Sequence, residues 1–284
     1  MTTLALPGTQ ALSEYLTPYI LSLNLTKLPP HLPTALSSLI LFTFTQAILG
    51  PILSNLFSST YPTLSKRQKT KWSMHIVSEL HVVIVFPLAL SYLSIEALDK
   101  DRLYGWDDRV GTLQAISVGY FAWDFGMELG LMEDWGFILH GASCLAIYTY
   151  AFSPFLSYFA TRCLLWEMST FFLNIHWFLD KTNQTGGTLQ LINGFFLLAA
   201  FFFVRICHGM YTSYKFWRAI QNAQDMPFNF YIIYCAGNIA LNGLNVMWFS
   251  KMISALRKRF SSKANRLEAN GHGKIKAPKN GKTE

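Results

Sequence analysis

The chain has 284 residues, of which 51% are hydrophobic and 14% charged, with a formal net charge of +7. It is too apolar and too sparsely charged for an ordinary water-soluble domain, so the first expectation is a membrane protein. The positive charge does not indicate nucleic-acid binding, because residues 251–284 carry +8 and everything before them carries −1.

In chain order, residues 1–34 form an N-terminal segment whose first charge is Glu14 and first basic residue Lys27. Without a basic start, no cleaved signal peptide is expected. Residues 11–25 suit a short apolar helix lying along the interface, ended by Pro29 and Pro30. Seven apolar runs follow at 35–57, 73–95, 112–131, 135–152, 155–179, 189–211 and 228–252. Most approach the roughly 20 residues a helix needs to cross about 30 Å of hydrocarbon. A soluble helical protein would show a charged face on each helix, and these mostly do not. The expected fold is therefore all-α, a polytopic membrane bundle of about seven helices. The first span is 35–57, a six-helix domain occupies 71–252, and 253–284 form a basic cytosolic tail. That tail is expected to be disordered and drawn to anionic lipid headgroups.

Loop charge sets the expected orientation. "SKRQKTK" (65–71) holds four basic residues and no acid, whereas "EALDKDRLYGWDDR" (96–109) holds five acids and three bases. The positive-inside rule places the first in the cytosol and the second across the membrane. The N-terminus is then lumenal and the C-terminus cytosolic, in the endoplasmic reticulum or another endomembrane. The sequon "NLT" makes Asn24 a candidate glycosylation site on the lumenal side, while "NQT" at Asn183 falls on the cytosolic side. Cys144, Cys163, Cys207 and Cys235 sit inside the runs without CxxC spacing, as small apolar residues and not as a disulfide frame or zinc site.

Polar residues inside such runs are the informative exceptions, since each must find a partner or line a cavity. His75, Ser78 and His81 recur at three-residue steps in the second run, and Tyr120, Asp124 and Glu128 at four-residue steps in the third. His140 lies about one and a half turns into the fourth. Glu167, Thr170 and Asn174 form one stripe in the fifth, and Tyr234, Asn238, Asn242 and Asn245 another in the seventh. Asn238 and Asn242 fit interhelical glue or a cavity lining. Arg162 and Arg205, near the ends of their runs, fit snorkelling to headgroups. Glu133 and Asp134 fit a cytosolic turn, Trp135 an interfacial anchor, and Glu128 a helix-end group. Neither glue nor snorkelling explains Asp124, His140 and Glu167, which mark a functional site or a buried structural network. The motifs HExxH, GxSxG, Walker A and GxGxxG are absent, and the scattered histidines give no metal centre and no resident cofactor.

With these residues in place, the sequence resembles the TLC family of TRAM, LAG1 and CLN8-like membrane proteins. The shape is closest to the small TLC domain-containing protein 4-like subgroup. The resemblance covers about 71–252. It rests on Trp72 with Ser78 and His81, on "GYFAWD" (119–124), on "WGFILHGA" (135–142) and on "LLWEMSTFFLNIHWFL" (164–179). It implies a helical bundle around a central cavity that admits a lipid chain. On that basis His140 and Asp124 are the candidate catalytic residues, and His81, Glu167, Thr170, Asn174, Asn238 and Asn242 the candidate lipid-cavity residues.

The family's functions divide. Ceramide synthases transfer a fatty acyl group from acyl-CoA to a sphingoid amine using adjacent histidines, whereas other members adjust phospholipid composition or escort cargo. Here Gly141 follows His140, so the histidine pair is absent, and His176 stands where relatives commonly carry arginine. The leading expectation is a protein that binds lipid or acyl chains and influences membrane lipid composition. An acyl-CoA-dependent N-acyltransferase, with His140 as base and Lys66, Arg67, Lys69 and Lys71 attracting CoA phosphates, is the enzymatic alternative. A non-catalytic cargo or assembly factor is the third.

Overall fold

The computed structural model describes residues 5–223 and 227–272, with side chains as far as residue 258. Helix is the regular structure throughout, with no strand among the described residues. The chain forms two compact units, Met1–Asn245 and Val246–Glu284.

The first unit opens with α1 (Thr9–Ser22), followed by a 3-10 turn at Pro29–His31 that leads into α2 (Leu32–Phe44). Pro29 and Pro30 start the next helix as well as following the last one, because a fixed φ and a missing N–H are tolerated in a first turn. A π turn (Thr45–Leu49) joins α2 to α3 (Gly50–Phe57), with the Gly50 N–H reaching back to the Thr45 carbonyl. Pro51 is the local cause: it offers no N–H to the Ala47 carbonyl and its ring crowds that turn.

Next comes α4 (Lys66–Ser91), opened by a capping box between Ser65 and Gln68. A short α5 (Glu96–Lys100) precedes α6 (Asp108–Leu131) and α7 (Trp135–Tyr150), which begin at the capping carboxylates of Asp107 and Asp134. The run expected at 155–179 is divided into α8 (Ser157–Cys163), a 3-10 turn (Leu164–Trp166) and α9 (Glu167–Lys181). A second π turn, Phe201–Cys207, joins α10 (Thr188–Ala200) to α11 (His208–Ile220), and α12 runs Phe228–His272.

Among the described residues, four helical stretches are long and apolar enough to cross a membrane: Pro29–Phe57, Lys66–Ser91, Thr188–Ile220 and Phe228–Lys258. The other three expected crossings are helical but fall short. α7 has 16 residues, the fifth run is broken at Leu164–Trp166, and α6 carries Gln114, Asp124 and Glu128. α6 packs against α2, α4 and α7, so it does not need an apolar surface all round. The α2–α6 contact is close: a Cβ at Gly119 would lie 2.5 Å from the Ala35 carbonyl oxygen and 2.6 Å from Ser38 Cβ. Small residues at the crossing let the backbones approach.

The distribution of polarity is that of a membrane protein. Phe57, Ile52, Phe195, Phe203 and Ile239 are exposed, whereas His81, Gln114, Glu167, Asn174 and Arg205 are buried. Apolar groups facing outward and polar groups facing protein suit hydrocarbon surroundings. The fold is an all-α membrane bundle. In the second unit the helix continues to His272 where a disordered tail was expected from 253, through helix-favouring residues such as Ala255, Leu256, Arg257 and Lys258. The end of that expected tail, 273–284, lies outside the described residues.

Candidate functional site

The interior polar groups are built up from α4 and α9. Asn174 is buried and bonds three side chains of α4: its amide donates to Ser78 Oγ at 3.2 Å and Glu79 Oε2 at 2.9 Å, and its carbonyl accepts from His75 Nδ1 at 2.8 Å. The His75 ring stacks on Trp177 with centroids 4.2 Å apart. Trp72 packs edge-on against Phe178 and donates to Ser54 Oγ of α3 at 2.9 Å. Asn174 thus joins two helices. Glu79 was not a sequence candidate, because it lies off the three-residue stripe that singled out His75, Ser78 and His81.

One turn earlier, Thr170 and Ser169 accept hydrogen bonds from Arg205, at 3.0 Å from Nη2 and 2.7 Å from Nε. Asn245 Oδ1 accepts from Nη1 at 3.3 Å. Arg205 is 6% exposed, which overturns the snorkelling expectation. The sixth run does not end near 211: its helix continues to Ile220, placing Arg205 in mid-helix within the π turn. A π turn shifts the helical phase locally and is frequent at functional positions. Arg162 is likewise held by protein. It donates to the Leu93 carbonyl at 2.8 Å and to Asp99 Oδ1 at 3.3 Å, and its guanidinium lies 3.4 Å from the Tyr158 ring centroid.

His81 is fully buried and stacked on Tyr120, with centroids 3.8 Å apart and planes 7° from parallel. Neither ring nitrogen has a hydrogen-bond partner among the described residues, and Glu167 Oε2 is 4.0 Å from Nδ1. Phe121 separates this imidazole from the next, with centroids 5.8 Å from His81 and 6.4 Å from His140. His140 is half-buried, with Cys144 Sγ 3.7 Å from its Nε2.

Asp124, also half-buried, makes no hydrogen bond or ion pair among the described residues. It faces α7 beside Gly141, where a Cβ would lie 3.4 Å from Asp124 Oδ2 and 3.2 Å from Phe125 Cα. The structure thus brings Asp124 to the residue next to His140, with α6 and α7 so close that position 141 has little room for any side chain. A half-buried carboxylate and a half-buried imidazole on adjacent helices are each groups able to exchange a proton with a bound ligand.

Asn238 and Asn242 lie elsewhere. Asn238 accepts from Ser213 Oγ at 2.7 Å and Trp217 Nε1 at 3.0 Å, joining α12 to α11. Asn242 donates to the Asn238 carbonyl at 2.8 Å, while its own Oδ1 is buried without a hydrogen-bond partner among the described residues. Asn242 lines a cavity of about 60 Å³ with Trp166, Cys163 and Tyr148, and Trp166 Nε1 is also buried without a hydrogen-bond partner among the described residues. A water needs about 10 to 15 Å³ of such space, so this cavity has room for ordered water beside the two polar atoms.

At the turn between α6 and α7, Glu133 takes ion pairs from Arg67, at 2.5 Å, and from Lys71. The Lys71 ammonium, reinforced by Arg67, holds the Glu133 carboxyl below the usual carboxylate range. Asp134 caps α7 by accepting from the Gly136 N–H at 2.7 Å. Asn24 is exposed, in the left-handed backbone region at φ 64°.

Comparison with known proteins agrees with this architecture. The family model described as TLC domain (TRAM, LAG1, CLN8) matches residues 71–254. An uncharacterized TLC domain-containing protein of Schizosaccharomyces pombe is 37% identical over 255 residues, 89% of this chain and 88% of the relative. Topoisomerase I damage affected protein 4 of Saccharomyces cerevisiae is 28% identical, over 80% of this chain and 85% of its own length. TLC domain-containing protein 4 of Homo sapiens is 28% identical, over 74% and 84%. No solved structure matches significantly. By a family match covering most of the chain and by similarity along nearly its whole length, this protein belongs to the TLC domain family.

Proposed function

We propose that the protein binds a lipid or acyl chain within its bundle and influences membrane lipid composition. The observation that carries this reading is the pair Asp124 and His140. Both are half-buried inside a bundle with an apolar exterior, and Asp124 has no partner among the described residues. A group with no structural partner, held away from the hydrocarbon, is suited to a ligand's hydroxyl, amine or phosphate. Purified protein should carry a co-isolated lipid identifiable by mass spectrometry. Asp124→Asn and His140→Ala should lose it while remaining folded. If both variants keep the wild-type lipid complement, or if both simply fail to fold, the reading is wrong and these residues are packing groups, as in a cargo or assembly factor.

The acyltransferase reading is favoured by one observation, the accessible His140 beside the Cys144 thiol. In it His140 takes the proton from a sphingoid or related amine as that nitrogen attacks an acyl-CoA carbonyl, and the CoA thiolate leaves. Labelled acyl-CoA and sphinganine would then give an amide with wild type and none with His140→Ala. Gly141 argues against it, since a second histidine there would push on the α6 backbone.

The proposed setting is the endoplasmic reticulum or another endomembrane, N-terminus lumenal and C-terminus cytosolic. The support is that the basic 65–71 and acidic 96–109 segments lie at opposite ends of the 26-residue α4. Glycosidase treatment tests this directly: wild type should shift in mobility, Asn24→Gln should not, and a shift that depends on Asn183 would invert the topology.

A further inference from the structure

The four cations at the start of α4 do not act alike. Arg67 and Lys71, one turn apart, are taken up by Glu133. Lys66 and Lys69 make no ion pair among the described residues. They share a different stripe with Thr70 and Ser73, at positions i, i+3, i+4 and i+7 of the same helix. That stripe faces a cavity of about 530 Å³ whose opposite wall is the π turn and its sequel, Gln46, Ala47 and Pro51, with Met127 of α6 also lining it. The cavity owes its wall to Pro51, which forces the wide turn. Gln46 Nε2 donates to the Thr70 carbonyl at 3.1 Å, and Lys69 Nζ lies 5.4 Å from the Tyr61 ring centroid, so the two sides are tied together.

The cavity lies between the second half of the span Pro29–Phe57 and the start of the span Lys66–Ser91, so its basic side is at a span end, where a membrane protein meets headgroups. Its chemistry is two-sided: ammonium groups and hydroxyls along α4, and apolar Ala47, Pro51 and Met127 across from them. The N-terminus of a 26-residue helix adds partial positive charge at the same end. Those features match a phosphate ester attached to a hydrocarbon body.

We propose that this cavity is a phosphate-ester site, holding the headgroup phosphate of an anionic glycerophospholipid at the membrane face. It stands apart from the Asp124 and His140 pair and does not depend on what that pair binds. CoA presents the same phosphate chemistry from solution, so the test carries both sources.

Full-length protein would be reconstituted in phosphatidylcholine nanodiscs with and without phosphatidic acid, and bound lipid counted by native mass spectrometry. A parallel arm would titrate CoA into phosphatidylcholine nanodiscs. Lys66→Gln/Lys69→Gln should weaken retention of the phosphate ligand by about tenfold or more, from the electrostatic worth of two lysines near a membrane surface. Arg67→Gln/Lys71→Gln removes equal charge from the same turns and should change retention less than threefold, which separates a site from general attraction to the basic surface. Loss confined to the lysine pair in the phosphatidic acid arm supports the lipid assignment. The same loss seen with CoA alone keeps the phosphate site and overturns the lipid as its occupant. Equal loss in both double variants, or none in the lysine pair, overturns the site itself.

Discussion

Replacing Arg205 by leucine tests the central packing argument. The guanidinium joins Ser169 and Thr170 of α9 to Asn245 of α12 through three hydrogen bonds of 2.7 to 3.3 Å. Hydrogen bonds between helices in a membrane average about 0.6 kcal/mol, so the three together set a floor near 2 kcal/mol. Removing one partner of a buried charged cluster costs about 3 to 5 kcal/mol when the remaining groups stay unpaired, and Glu167 is buried on the same helix as two of the acceptors. The expected loss is about 2 to 5 kcal/mol, or roughly 4 to 20 °C in Tm at about 2 to 4 °C per kcal/mol for a chain of this size. Cys144 and Cys235 are buried thiols, so thermal unfolding in detergent can be followed by their reaction with a thiol-sensitive dye. Arg205→Lys should recover little, because one ammonium on a shorter stem cannot reach acceptors on two helices in the guanidinium's planar geometry. A leucine variant within 2 °C of wild type would show that Arg205 bears no structural load and would restore the snorkelling interpretation.

His81→Phe keeps the stack on Tyr120 and removes two buried nitrogens without hydrogen-bond partners. It should leave stability unchanged or raise it by about 1 to 3 kcal/mol; a fall of more than 1 kcal/mol by thermal unfolding would mean the ring nitrogens are engaged. Gly141→Ala should destabilise by about 1 kcal/mol or more in the same assay, since overpacking against Phe125 outweighs the helix propensity gained by alanine. A more stable alanine variant would show that α6 and α7 have room to spare. Glu133 has a depressed folded pKa, so its contribution is fully present above the unfolded carboxylate value and is lost as pH falls through the lower folded one. The Tm gap between wild type and Glu133→Gln should therefore be constant from pH 7 to 5 and shrink as pH falls below about 4.5; no gap at pH 7, or a gap that widens as pH falls, would refute the pairing with Lys71 and Arg67.

Much of the fold was legible because hydrocarbon imposes a simple rule on sequence. All seven apolar runs are helical, and the stripe Glu167, Thr170 and Asn174 is indeed on the protein side of α9. What composition concealed were the two π turns and the true helix ends. A run's apolar edge at 211 is not its helical edge, since His208–Ile220 continues with an amphipathic pattern, and the misplaced end turned a mid-helix arginine into an apparent surface one. α6 (Asp108–Leu131) ends where its apolar run was expected to end, although it carries polar residues. A helix packed against α2, α4 and α7 can carry Gln114 and Asp124 without an apolar surface all round, so average hydropathy alone does not describe its surroundings. Within the candidate site, the sequence placed Asp124 and His140 on neighbouring helices either side of one turn, but spacing along one helix could not give Asn174 its partners on α4. Glu79, Tyr120 and Arg205 joined the network only once the helices were placed.

Two kinds of polar residue share the interior, and they predict different losses. Asn174 and Arg205 have side chains spent on neighbouring helices, Asn174 through three bonds to α4 and Arg205 through three to α9 and α12. A protein that needed only to hold its helices together could stop there, since each further polar group inside the bundle costs free energy unless it is paired. Asp124 is not spent this way, and Gly141 keeps α7 close beside it without filling the space with a side chain. Substitutions in the first group should therefore lower abundance and Tm together. Asp124→Asn should preserve both, and any change it produces in lipid binding then reports on the site and not on the fold.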